Sequence, residues 1–149
     1  MHPGELIRER RLALGLEPEK VARQVGLEPS SYYDLEGFET ELSTSVSLGD
    51  IARLEDILNF DVREAFSGWS GRPELTLEGL SDAIKKHLRE VNLTVNEFED
   101  AIGWEVDSIL ANPHSALDWN LDCLRDICRT LGIRWESINF EGSLQDLTR

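Results

Sequence analysis

Apolar residues recur at helical spacing through most of the chain, and they do so twice in the same order. In the first half the spacing links Ile7 to Val21 and Val25, and in the second half it links Ile84 to Phe98. Residues three and four apart share one face of a helix, so this spacing predicts helices that each bury one face. No stretch shows the strict alternation of a strand, and the pattern therefore predicts an all-α protein.

The two halves keep a regular offset, which indicates an internal repeat. Gly26 and Gly103 lie 77 residues apart, whereas Leu48 and Leu121, which open the next apolar run, lie 73 residues apart. The second copy is therefore four residues shorter in one loop. A repeat of this kind predicts two helical units whose helices follow in the same order.

Turn signals divide each copy into helices. Glycine ends helices because it adopts the left-handed conformation at little cost, and proline is favoured in a first helical turn. In the first copy these signals predict helices at about residues 5–14, 18–25, 28–36, 48–58 and 61–66, with a loop at 38–47. In the second copy they predict helices at about residues 80–91, 95–102, 105–111, 121–131 and 135–138.

The composition after position 67 indicates where the two units are joined. Residues 67–74 are rich in glycine, serine and proline, which is typical of a linker. We therefore expect a first domain at 1–68, a linker at 69–79, and a second domain with a C-terminal tail at 80–149. Units of this size lie near the lower limit for a self-sufficient core, so we expect them to pack together.

The chain is strongly acidic, with a net charge of −14 and a sequence pI of about 4.5. Both halves contribute: residues 1–70 carry 7 basic and 14 acidic side chains, and residues 71–149 carry 8 and 15. Affinity for nucleic acid comes from Lys and Arg neutralising phosphates. The field of this chain opposes DNA, and the acidity either serves only solubility or selects a basic partner.

Residues suited to catalysis are sparse. His2, His87 and His114 are scattered along the chain and lack the spacing of metal ligands. Cys123 and Cys128 lie five residues apart on a predicted helix and so on different faces, which favours two buried thiols over a disulfide or a metal site. We expect no enzymatic activity, no cofactor, no metal and no small-molecule substrate.

No segment of the sequence suggests a membrane protein. No apolar stretch approaches the ~18 residues of a membrane span. The residues that follow Met1 lack the charged and then apolar order of a secretion signal. We expect a cytoplasmic protein that does not associate with membranes.

The first copy matches a known domain over about residues 4–66. The matching segments are Ile7–Arg11, Leu14–Leu16, Val21–Ala22, Val25–Leu27, Leu35–Gly37 and Ser47–Leu58. On these residues the copy resembles the Cro/phage-repressor-type helix-turn-helix family. The second copy resembles it as a degenerate relative, through Leu93, Phe98, Ile102–Gly103 and Leu121–Ile133. The resemblance implies two repeated four-to-five-helix domains packed together.

The resemblance also implies where a ligand would bind, because in this family the third helix enters the DNA major groove. Carried over, the recognition-helix surface consists of Glu28, Pro29, Ser30, Ser31, Tyr33 and Asp34 in the first copy and Glu105, Val106, Asp107 and Ser108 in the second. The candidate phosphate contacts are Arg8, Arg10, Lys20 and Arg23. The family pairs the positions of Arg11 and Glu36 between its first and third helices, which implies a structural ion pair.

The third helices depart from the family in their chemistry. Base reading needs Arg, Lys, Asn or Gln, and phosphate anchoring needs cations or exposed amides. The first copy has no Lys or Arg on this helix, and Glu28 and Asp34 would face phosphates. At the start of the second helix, where family members commonly place a phosphate-binding Gln, this chain has Pro18.

Two functions follow from these observations. In the first, the protein is a non-catalytic regulator whose acidic surface binds a basic protein, in an inhibitor, antitoxin-like or anti-regulator role. In the second, it is a DNA-binding transcriptional regulator in which the two copies act as a one-chain pseudo-dimer. The charge favours the first function and the resemblance favours the second. Either is compatible with a monomer or a homodimer.

Overall fold

The computed structural model describes residues 2–67, 69 and 71–147. The chain forms two compact units, Met1–Ser70 and Gly71–Arg149. All regular elements within the described residues are helical, apart from an isolated bridge between Leu75 and Ile138, which confirms the all-α prediction.

The described residues of the first unit form six helices. They are α1 (Pro3–Ala13), α2 (Pro18–Val25), α3 (Pro29–Gly37), α4 (Glu41–Thr44), α5 (Leu48–Leu58) and α6 (Val62–Phe66). The short helix α4 lies inside residues 38–47, for which the sequence predicted a loop. It is a single turn and buries Leu42, and four residues are too few to establish a helical period.

The core of the first unit is formed by the apolar face of each helix. Its fully buried side chains include Ile7, Val21, Tyr32, Leu35, Leu48, Ile51, Leu54 and Leu58. Helix α1 packs on α3, and α2 packs on α3 and α5. Helices α1 and α3 lie so close together that a Cβ on Gly4 would collide with the carbonyl oxygen of Leu35, so glycine is required there.

In the second unit, residues 71–147 form five α-helices and two 3-10 helices. They are α7 (Leu77–Val91), α8 (Val95–Ile102), α9 (Asp107–Ala111), a 3-10 helix (Pro113–Asp118), α10 (Leu121–Leu131), a 3-10 helix (Trp135–Ser137) and α11 (Phe140–Leu147). Its buried side chains include Leu77, Leu80, Ile84, Phe98, Ile109, Leu121, Leu124 and Ile127. The predicted tail at 140–149 thus begins with a helix.

The expected linker at 69–79 needs correction at its C-terminal end. Helix α7 begins at Leu77 because the Thr76 hydroxyl accepts the amide of Gly79 at 3.0 Å, as an N-cap does. Leu75 is also part of the second unit, since its amide donates to the carbonyl oxygen of Ser137 at 2.9 Å. The predicted domain boundary at residue 68 and the end of the tail, residues 148–149, lie outside the described residues.

Left-handed backbone occurs at matching places in the two units. Six of the described residues have positive φ, and they form three pairs at the offsets found in the sequence: Gly15 with Asn92, Gly26 with Gly103, and Asn59 with Gly132. Each follows a helix of its unit. Non-glycine residues seldom adopt this conformation, and asparagine does so most readily. The two units therefore end three helices in the same way.

Candidate partner-binding surface

The outer face of α3 is a continuous polar surface. Tyr32 and Leu35 are fully buried and fix which side of the helix points inward. The residues predicted as the recognition surface all lie on the other side and are exposed: Glu28, Pro29, Ser30, Ser31, Tyr33 and Asp34. This face is therefore free to contact a partner.

The charged residues of this face are both carboxylates. Glu28 occupies the N-cap of α3, but its side chain makes no capping hydrogen bond. Neither Glu28 nor Asp34 forms an ion pair with any residue that the structure describes. A carboxylate near a helix N-terminus is stabilised by the helix dipole, and Glu28 occupies such a position.

A third carboxylate is tied to the same face. The hydroxyl of Tyr33 on α3 donates a hydrogen bond to the carboxylate of Glu19 on α2. This bond lowers the pKa of Glu19 below its ordinary value and raises the pKa of Tyr33. The exposed face of α2 and α3 therefore presents three carboxyl side chains, those of Glu19, Glu28 and Asp34.

The candidate phosphate contacts lie on α1 and α2 rather than on α3. Arg8, Lys20 and Arg23 are exposed, and none of them pairs with an acidic residue in the described part of the chain. Arg10 is half-buried, and its Nε is enclosed without a hydrogen-bond partner there. Three of the four candidate cations are thus accessible to an anionic ligand.

Arg11 and Glu36 form an ion pair between α1 and α3. The Arg11 Nε donates to Glu36 Oε2 at 2.7 Å and Nη2 donates to Oε1 at 3.1 Å, while Nη1 donates to the carbonyl oxygen of Leu16 at 2.9 Å. Both side chains are 10% exposed. The pair holds the guanidinium inside the unit, which gives Arg11 a structural role rather than a ligand-binding one.

The hydroxyl of Tyr32 lies beside this ion pair. Burial is the main cause that raises the pKa of Tyr32, and the Glu36 carboxylate adds to it. The hydrogen bond from Arg11 to Glu36 likewise raises the pKa of Arg11. Arg11 and Tyr32 therefore both stay protonated across the physiological range.

The second unit presents a smaller acidic surface at the equivalent helix. Glu105, Asp107 and Ser108 are exposed, but Val106 is fully buried, so its assignment to the surface is wrong. The cause is a shifted start of α9: the Glu99 carboxylate accepts the amides of Val106 at 2.6 Å and Asp107 at 3.1 Å. The capped turn directs the apolar side chain of Val106 inward.

The comparisons with known proteins leave the site to be interpreted from its own geometry. No protein-family model, curated protein or solved structure matches the chain. The acidic faces of α3 and α9 and the cations of α1 and α2 are therefore the observations that bear on function.

The histidines and cysteines serve structural roles in the described residues. His2 caps α1 by accepting the amide of Gly4 at 3.1 Å, and the ring of His87 packs against Phe98 with centroids 5.7 Å apart. Cys123 and Cys128 are buried free thiols, and burial raises the pKa of each to about 12. Neither thiol ionises at neutral pH, so neither is an activated nucleophile.

Within the described residues, no helix combines the length and the apolar character needed to cross a membrane.

The second unit contains a cavity of about 500 Å³ with Trp104 and Trp119 in its walls. The sequence did not predict this cavity, although four tryptophans in 149 residues were a signal of it.

Proposed function

We propose that this chain is a cytoplasmic, non-catalytic regulatory protein that binds a basic protein through the acidic faces of α3 and α9. Its scaffold is a duplicated repressor-type helix-turn-helix domain in which the reading surface has changed its charge. The three pairs of left-handed residues and the common order of helices support the duplication.

The observation that carries the proposal is the chemistry of the exposed α3 face. It presents two carboxylates without ion-pair partners among the described residues, and no cation lies on the helix. Two like charges ~4 Å apart repel by about 1 kcal/mol in water and several-fold more near a protein surface. A phosphate backbone would meet this repulsion at each carboxylate.

A basic partner meets the same carboxylates as complementary charges. Complementary potentials steer two proteins together and raise the association rate, and salt weakens the effect. With a net charge of −14, the whole chain contributes to this steering. An inhibitor or antitoxin-like regulator of a nucleic-acid-binding protein has the required chemistry, because such a target carries a basic surface.

A charge-reversal experiment tests the proposal. The parent chain and the Glu28→Lys, Asp34→Lys double variant are titrated at ~0.15 M salt against a fluorescent peptide rich in lysine and arginine. We expect the parent to bind and the variant to lose most of its affinity.

The matched control separates the α3 face from the general charge. The Glu9→Lys, Asp56→Lys variant changes the net charge equally but at exposed positions of α1 and α5. It should retain most of the affinity of the parent. Equal losses in the two variants would mean that the peptide senses only the overall field, and the proposed face would be wrong.

A cross-linking experiment identifies the partner at the same face. Because Cys123 and Cys128 are buried with raised pKa values, a Ser30→Cys variant can be labelled selectively at exposed residue 30. A photo-cross-linker at this cysteine should capture a basic protein from the source cell. Capture that survives the Glu28→Lys, Asp34→Lys changes would contradict an electrostatic role for the face.

DNA binding is the second candidate function, and one observation favours it. Arg8, Lys20 and Arg23 are exposed and have no ion-pair partner within the described residues, so they are available to phosphates. If they bind DNA, Lys20→Ala, Arg23→Ala should reduce the salt slope of binding by about 0.9 per lost phosphate contact. The control Lys85→Ala, Arg89→Ala alters exposed cations of the second unit and should leave the slope unchanged.

A further inference from the structure

The second unit contains a cavity that adjoins its acidic surface and shares Glu105 and Ser108 with it. It lies among the turn after α8, the 3-10 helix Pro113–Asp118 and the start of α10, and it has a volume of about 500 Å³. Ligand sites typically have volumes of ~300–1,000 Å³. Its lining includes two tryptophans, two carboxylates and two hydroxyls, from Trp104, Trp119, Glu105, Asp118, Ser108 and Ser115.

The aromatic walls are held in place. The indole Nε1 of Trp104 donates to Asp126 Oδ2 at 3.0 Å, which fixes the orientation of the ring. Trp119 is 9% exposed, so packing restricts its rotation. A ligand that enters the cavity therefore meets preformed walls, and preformed sites lose less entropy on binding.

The charges of the cavity select a cation. Glu105 and Asp118 are both exposed at its edge, and none of the described Lys or Arg residues lines it. Neither carboxylate has an ion-pair partner in the part of the chain that the structure describes. Tryptophan is the aromatic residue that attracts cations most strongly. The tryptophan walls and the carboxylates at the edge therefore both favour a cationic ligand.

The first unit shows that the scaffold does not require these tryptophans. At the offsets of the repeat, Trp104 corresponds to Leu27 and Trp119 corresponds to Val46. Val46 is 5% exposed and fills its place as an aliphatic residue. Each position needs an apolar side chain for packing, and the first unit fills both positions without an indole.

We infer that this cavity binds an arginine side chain of the basic partner. The planar guanidinium stacks on aromatic rings and pairs with carboxylates, which matches both features of the cavity. The inference rests on the proposed function and deepens it, because it specifies which side chain of the partner the second unit binds. The acidic face of α3 would then attract the partner, and the cavity would hold one of its arginines.

Nuclear magnetic resonance of the ¹⁵N-labelled full chain tests the inference at individual tryptophans. The chain is titrated with N-acetyl-arginine amide and, as the matched neutral control, with N-acetyl-citrulline amide. The indole N–H signals of Trp104 and Trp119 should shift saturably with the arginine compound and not with citrulline. Equal shifts with both compounds, or no shift with either, would overturn the inference.

Charge variants show whether the cavity itself binds the cation. Glu105→Gln, Asp118→Asn should weaken arginine binding about thirtyfold, since each of the two carboxylates contributes roughly 1 kcal/mol at ~4 Å in water and about 1.4 kcal/mol is tenfold in affinity. Asp82→Asn, Asp100→Asn removes two exposed charges outside the lining and should change affinity less than about twofold. Equal losses in both variants would show that only the overall field acts.

A third variant tests the aromatic wall. Trp104→Leu installs the residue of the first unit and should abolish most of the arginine binding. Circular dichroism verifies that the helices persist, and the carboxylate variants keep the test decisive should this chain unfold. Full arginine affinity in a folded Trp104→Leu chain would contradict the inference.

The source of the cation is tested with a peptide. An arginine inside a short blocked peptide should bind at least as tightly as the blocked amino acid, whereas tighter binding of free arginine would indicate a small molecule and contradict a partner side chain. The parent can also bind the peptide rich in lysine and arginine while the indole N–H signals of Trp104 and Trp119 do not shift. In that case this inference fails and the proposed function stands.

Discussion

At the scale of single residues, the charged groups divide into those that hold the fold and those that are free to bind. Arg11 is turned inward and bonded to Glu36 and to a backbone carbonyl, whereas Glu28 and Asp34 point outward without partners in the described residues. Two glutamates, Glu28 and Glu36, therefore differ in their surroundings, and the difference depends on which side of the helix is buried.

Removal of Arg11 should destabilise the protein. Arg11→Ala leaves the Glu36 carboxylate only 10% exposed and uncompensated, which should cost about 3 kcal/mol. Urea unfolding measures the cost. The Arg11→Leu, Glu36→Leu double variant removes both charges and should recover most of the loss, since an apolar pair can replace a buried ion pair. A loss below about 1 kcal/mol in the single variant would contradict a structural pair.

The turn after α2 should be sensitive to any side chain. Gly26 has a φ of 90°, so Gly26→Ala forces alanine into the left-handed region and should cost roughly 1–2 kcal/mol. Gly37 is the matched control because its φ lies outside that region and a Cβ there has open space. Thermal unfolding should show a lower Tm for Gly26→Ala and a nearly unchanged Tm for Gly37→Ala. The opposite order would contradict the described turn.

Acid should weaken the second unit through Glu136. Burial opposes ionisation of this carboxyl, but hydrogen bonds and the Arg134 charge outweigh it and hold its pKa below the ordinary value. Its contribution to stability is thus present above the unfolded pKa of ~4.3 and is lost as pH falls through the lower folded pKa. The Tm of the parent should fall more between about pH 5 and pH 3 than that of Glu136→Gln. Parallel curves would contradict this role.

At the scale of helices, the sequence predicted which helices exist and in what order better than it predicted where each helix begins and ends. Helices α5 and α10 were predicted at their observed residues, because long apolar runs with clear caps determine both ends. The linker was predicted too long, since the Thr76 cap that starts α7 is a single hydroxyl with no effect on periodicity. The sequence did not predict that Val106 is buried, because this burial depends on the Glu99 carboxylate seven residues earlier in the chain.

The caps of α5 and α10 should contribute similar stability. The Ser47 hydroxyl accepts the amide of Asp50 at 3.1 Å, and the Asn120 side chain accepts the amide of Cys123 at 2.9 Å. Ser47→Ala and Asn120→Ala should each cost about 1 kcal/mol in denaturant unfolding. Ser30→Ala, an exposed position of α3, is the control and should change stability by less than about 0.5 kcal/mol. Losses no larger than this control would contradict the caps.

At the scale of the whole molecule, acidity is a property of both units rather than of one segment. Each carries about twice as many acidic as basic residues. The sequence could predict this charge and the exposed face of α3, because helical periodicity assigns each side chain to a face. It could not predict the cavity, since its lining comes from three elements that only the fold of the second unit brings together.

If the acidic faces of α3 and α9 serve a basic protein, they should exclude DNA. A titration against random-sequence duplex tests this most directly. At ~0.15 M salt, we expect the parent to bind more weakly than ~10⁻⁴ M, the weak end of ordinary non-specific affinities. The Glu28→Lys, Asp34→Lys variant should gain binding, because the scaffold then presents cations to phosphates. Parent affinity tighter than the ~10⁻⁴–10⁻⁶ M of non-specific binding would contradict the claim and favour the DNA-binding pseudo-dimer.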